Sequence, residues 1–225
     1  MAQVLGKCLQ KATMKNISVF CLGLTLIFLA SACNSASSDS VKEAKDSNAA
    51  RIDSQRTTEQ PRASLAVVPN KADADFLVSA ASGGMLEVQL GHLAQTNSRN
   101  QRVKAFGAMM IKDHGEGGVQ LKTLASAKNV TLPDDLSNAQ QKEIDELKKK
   151  KGTDFDKAYI RLMVSDHKDD IKEFEKQAGK GTDSLIRAFA NSNLEMLRRH
   201  LDSADNLQGA LGINYVKGAP SVPVP

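Results

Sequence analysis

The stretch Phe106-Gly-Ala-Met-Met-Ile-Lys-Asp-His114 decides the fold, because it returns as Tyr159-Ile-Arg-Leu-Met-Val-Ser-Asp-His167, offset by 53 residues. An aromatic residue, two bulky apolar residues, a β-branched residue and Asp-His recur in register. Within each copy the aromatic, a methionine and the histidine are four apart, the spacing of one helical face. The echo reads as a duplicated helical hairpin.

Working outward, the same period predicts four long helices, over about 72–96, 98–128, 154–178 and 183–208. The second carries Val103, Phe106, Met110, Leu121 and Leu124 on one stripe. The third carries Phe155, Tyr159, Met163, Ile171 and Phe174, and the fourth Ile186, Phe189, Leu197, Leu201 and Ala204. Ser98 and Gln101 have capping-box spacing, as do Ser137 and Gln140. The latter pair opens a short polar helix that ends in Lys148–Lys151 before Gly152. Basic residues before a C-terminal glycine are ordinary helix-end chemistry, so this run is not read as a nucleic-acid patch. Thr153 is the expected cap of the third long helix, which stops near Gly179. Gly115, Gly117 and Gly118 fall inside the second, each costing about 1 kcal/mol relative to Ala, and predict a weak point or kink there. No alternating β-branched run suggests a sheet. The expected class is all-α, an antiparallel four-helix bundle with an extra short helix between helices 2 and 3.

The flanks read differently. Met14 and Lys15 make a short basic start, Ile17 to Leu29 are almost wholly apolar, and Ala30-Ser-Ala-Cys33 follows. That order is a secretory signal, too short to span a bilayer. Its ending resembles the bacterial lipobox, although Ala30 stands where Leu is usual. Residues 1–32 are therefore expected to be a signal peptide, starting from Met1 or Met14. Cys33 is the expected lipidation site, carrying palmitate-type acyl chains. Cys8, Cys21 and Cys33 are the three cysteines. None lies beyond the signal, which excludes a disulfide framework and Cys-based redox or metal chemistry. Removing Lys7, Lys11 and Lys15 from the 30 basic residues leaves 27 against 26 acids. A near-neutral remainder gives no electrostatic case for nucleic acid. Residues 33–70, without aromatics, are expected to be a flexible tether spanning about 35 Å. Residues 71–210 form the helical domain, and the proline-rich 211–225 a disordered tail.

His114, His167 and His200 each fall on the apolar stripe of a different helix. The first two lie mid-helix, so an antiparallel bundle would bring the three to similar depth. On the first helix Ala80, Gly84, Glu87, Gly91 and Ala94 share a face, and Glu87 sits in its middle. A carboxylate there needs a partner. His92 falls off that face. Two chemistries fit. One is a buried polar cluster of Glu87 and the three histidines, with Asp113 and Asp166 bonding to neighbours. The other is a transition-metal site for Zn, Fe, Mn or Cu ligated by Glu87, His114, His167 and His200. The Glu-x-x-His di-iron pattern is absent, because Ile111, Val164 and Leu197 stand three before the histidines. No nucleophile elbow or phosphate loop is present, so no catalytic residue is assigned.

Gly84-Met-Leu-Glu-Val88 with Leu90-Gly91, Val103-Lys-Ala-Phe106 with Met110–His114, Phe155–Tyr159 with Met163–His167, and Leu197–Leu201 together carry a resemblance. Over about 72–208 the chain resembles a bacterial family of predicted outer-membrane proteins of unknown function with a ferritin-like bundle. The resemblance implies an exported domain with no established activity, and it carries over Glu87, His114, His167 and His200. The expectation is an envelope lipoprotein, lipid-anchored in the outer membrane and facing the periplasm, with a binding or envelope-maintenance role. Its alternatives are a metal-binding or metal-dependent redox protein and a protein–protein interaction module. The only partner implied is the membrane, through the lipid.

Overall fold

The computed structural model describes residues 39–57 and 69–213. Six helices follow one another: α1 (Ser40–Thr57), α2 (Lys71–Asn97), α3 (Gln101–Ala127), α4 (Asn138–Lys148), α5 (Gly152–Lys180) and α6 (Ser184–Ala210). There is no strand among the described residues, and no described helix is long and apolar enough to cross a membrane.

Local chemistry sets most of the boundaries. The Asn70 side chain accepts from the Asp73 N–H and opens α2, and Asn100 does the same for Arg102 at α3. Ser98 instead closes α2, which corrects its expected role as the cap of the next helix. Ser137 and Gln140 form the capping box of α4. Thr153 does not cap α5, which starts at Gly152 without a side-chain cap. The helix also runs past Gly179 to Lys180. The Asp183 carboxylate accepts from the Leu185 and Ile186 N–H groups at the start of α6. Two helices end alike. Asn129 (φ 51°) and Gly212 (φ 61°) take the left-handed conformation. Val130 and Ile213 N–H then donate back to Ala125 and Gln208, which satisfies the last carbonyls.

Helix α2 packs along α3, and α5 along α6; the pairs meet where α2 faces α5 and α3 faces α6. The interior has two apolar clusters. One gathers Leu90, Phe106, Met110, Phe155, Tyr159, Met163 and Leu207. The other gathers Leu77, Leu121, Ala125, Phe174, Ile186 and Leu194. Every long helix passes through both. His114, His167 and His200 fall, on their own helices, between the residues of one cluster and those of the other, and Glu87 sits near the α2 end of the first cluster, between Leu86 and Leu90. A polar layer therefore divides the core. The echoed motifs face one another: Phe106 and Tyr159 meet edge-on within the first cluster at 6.0 Å between centroids, and His114 and His167 meet in the polar layer at 5.8 Å.

Three expectations change. Residues 40–57, expected within the tether, are helical. Among its described side chains helix α1 buries only Ala44, Asn48 and Ile52, four apart on one face. Its hold on the domain is largely polar. Asn48 Nδ2 donates to the Thr131 carbonyl while its Oδ1 accepts from the Thr131 N–H, both at 2.8 Å. So small an apolar stripe leaves little periodic signal. At the other end Ile213 is buried in the first cluster, so the domain continues past 210. Finally, α3 runs unbroken through Gly115, Gly117 and Gly118. The expected signal peptide and Cys33, the rest of the tether (34–38 and 58–68) and the tail beyond 213 lie outside the described residues.

Candidate metal centre

The three imidazoles form a near-equilateral triangle, with ring centroids 5.8, 5.2 and 5.4 Å apart. One ring nitrogen from each lies within 4.8 Å of the others. Glu87 is 1% exposed, and His167 and His200 are fully buried. Helix α2 supplies the carboxylate, and α3, α5 and α6 supply one histidine each. The close approach of α2 and α3 that brings Glu87 to His114 depends on Gly91 and Gly107. A Cβ on Gly91 would come within 2.6 Å of the Gly107 carbonyl oxygen.

The outward-facing nitrogens fix the protons. His167 Nδ1 lies 2.9 Å from the Met163 carbonyl oxygen, which only accepts, so that nitrogen carries hydrogen. His200 Nε2 donates to Asp113 Oδ2 at 2.9 Å. Burial alone would raise Asp113, but hydrogen bonds from His200 and Lys112 outweigh it and hold the carboxyl below its ordinary range. His114 Nδ1 donates to Glu87 Oε2 at 2.8 Å. Desolvation alone would raise Glu87, but the facing His114 and His167 outweigh it and pull the carboxyl below the usual range. Burial lowers His167 and lowers His200 to about 4, against the Asp113 bond. Both are therefore neutral near pH 7.

What remains is a set of acceptors with no donor. His167 Nε2 faces His200 Nδ1 at 3.3 Å and Glu87 Oε1 at 3.2 Å. In neutral rings whose other nitrogen is already protonated, all three atoms present lone pairs. His114 Nε2 and Glu87 Oε1 are buried without a hydrogen-bond partner. A proton on His167 Nε2 would relieve these contacts only by charging a ring that burial disfavours charging. A cation relieves them together. Bonds of about 2.0–2.1 Å to a tetrahedral ion place neighbouring donors roughly 3.3 Å apart, the separations seen at His167. Outer acceptors on each imidazole are also how metal-bound histidines are ordinarily oriented.

Glu87 belongs to a second group as well. Its carboxylate and those of Asp166 and Asp170 offer oxygens within 4.8 Å of one another. Burial and the Glu87 charge push Asp166 well above its ordinary value, and burial with the Asp166 charge does so for Asp170. Asp166 Oδ2 has no partner. The structure thus brings Glu87, His114, His167, His200 and Asp113 into one connected set. It places Asp166 beside Glu87 instead of bonding it to a histidine, and it leaves His92 exposed. Asp170 was not legible as a site residue. Its signal is its position one turn after Asp166 on α5.

A helical protein whose core is divided by a layer of three histidines and one glutamate is the class that fold and site define. The chain belongs to a family described as a domain of unknown function, DUF4142, which matches residues 56–207. A crystal structure of a DUF305 fragment from Deinococcus radiodurans is similar in fold, with a TM-score of 0.55 at 12% identity. The match covers 64% of this chain and 97% of that one. No curated protein matches the sequence.

Proposed function

We propose that this protein is an envelope lipoprotein whose antiparallel, ferritin-like four-helix bundle binds one transition-metal ion through His114, His167, His200 and Glu87. The observation that carries this reading is the convergence of His167 Nε2 on His200 Nδ1 and Glu87 Oε1 at 3.3 and 3.2 Å, with His114 Nε2 and Glu87 Oε1 buried without a hydrogen-bond partner. Imidazole donors with one carboxylate suit Zn, Cu or Fe, and Mn less well. The order in which each long helix passes the two apolar clusters supports the antiparallel arrangement. Export and lipidation at Cys33 rest on the signal-like sequence and put the proposed centre in the envelope, on the periplasmic side of the outer membrane.

Elemental analysis of protein purified without a histidine tag, together with thermal melts in Zn, Cu, Mn and Fe, tests the centre. About one ion per chain is expected, together with a rise in melting temperature that His167→Ala with His200→Ala abolishes. Protein that carries no metal and melts unchanged with all four ions would refute the metal reading.

A further inference from the structure

Two sets of helical glycines contrast in what surrounds them. At Gly91 and Gly107 an added Cβ would strike the neighbouring helix, at 2.6 and 2.7 Å. At Gly84, Gly115 and Gly118 it would meet nothing within 4 Å. These three give up helix stability, about 1 kcal/mol each, although an added Cβ there would touch nothing among the described residues. All three line one cavity of about 370 Å³ between the helices. Its walls are largely apolar, including Val88, Leu121, Phe174, Phe189, Met196 and Leu197. Glu87, His114 and Asp170 also line it. The cavity therefore reaches the centre along its Glu87–His114 edge, where His114 Nε2 and Glu87 Oε1 are the buried atoms without partners.

We propose that this cavity binds a small, largely apolar molecule whose polar end is a neutral nitrogen or oxygen donor bearing a hydrogen. The inference rests on the metal reading above. The donor's lone pair goes to the metal as a fifth ligand beside Glu87 and the three histidines, its hydrogen to an Asp170 carboxyl oxygen, and its body lies in the space the glycines leave. The Glu87 carboxylate on the polar wall disfavours an anionic head. The volume is within the range of small-molecule pockets, which begins at roughly 300 Å³.

Cobalt(II) as the bound metal gives a visible spectrum that reports its ligands. Imidazole and 4-phenylimidazole share the required head, and only the second has an apolar body. In the wild-type protein 4-phenylimidazole is expected to shift the cobalt bands and to bind about tenfold or more tighter than imidazole. Gly118→Leu, and independently Gly84→Leu from the facing wall, should erase that advantage while cobalt content stays the same. Either variant that folds and loads cobalt suffices. Failure of the wild-type protein to take up cobalt would overturn this inference, and failure with Zn, Cu, Mn and Fe as well would overturn the metal reading with it. Loaded cobalt whose spectrum ignores both probes, equal affinity for the two, or an advantage that survives the leucines would overturn this inference alone.

Discussion

Asp73 is a charge buried without a cation. Its carboxylate accepts from Gln177 Nε2 at 2.6 Å, Thr182 Oγ1 at 2.6 Å and the Asp183 N–H at 2.9 Å, with the Thr182 N–H close by. It ties the start of α2 to the turn that opens α6. Burial alone would raise its carboxyl, but the bonds from Thr182, Gln177 and the backbone hold it below the ordinary aspartate value. A carboxyl lowered on folding stabilises the fold above its unfolded pKa, and that contribution disappears as pH falls through the folded value. Asp73→Ala should therefore cost about 3 kcal/mol at pH 7 and much less at about pH 2–3. Urea melts at the two pH values measure this; an equal loss at both would contradict the charged role. Nothing in the sequence marks Asp73, because its partner Gln177 lies 104 residues away. The four residues of the centre were legible, since each interrupts an apolar stripe with a group that a core does not bury unpaired.

At the scale of the helices, one substitution has opposite signs at two glycines. Gly91→Ala drives a methyl into the Gly107 carbonyl and Ile111, and should destabilise by about 2 kcal/mol or more. Gly118→Ala, on open space, should stabilise by about 1 kcal/mol. Thermal melts of the two variants check the pair, and a loss of stability at Gly118 would remove the distinction between the two kinds of glycine. The positions of α2 to α6 were readable from period and caps, because their stripes are long. Helix α1 was not. Its attachment is a side-chain clamp onto the α3–α4 loop, completed by Arg51 bonding to Asn129 and Thr131, and such pairings have no periodicity.

For the whole molecule, the address and the centre are separable. If Cys33 carries the anchor, Cys33→Ala should move the protein from the membrane fraction to the soluble periplasmic fraction with metal content unchanged. Fractionation and mass spectrometry of the N-terminus check this, and a Cys33→Ala protein still in the membrane fraction would exclude the lipid as its only tether.

By itself the sequence determined the helical class, the near-neutral charge of residues 33–225, and the residues that interrupt the apolar stripes. These are local or compositional properties, set by spacing along the chain. Only the tertiary structure decided which atoms face one another. It put two imidazole nitrogens 3.3 Å apart, set Asp170 beside Glu87, and placed Gly91 and Gly107 at a helix crossing but Gly84, Gly115 and Gly118 along a cavity. Each depends on how four helices rotate and slide against one another, and a period of about 3.6 residues fixes a face without fixing what that face meets.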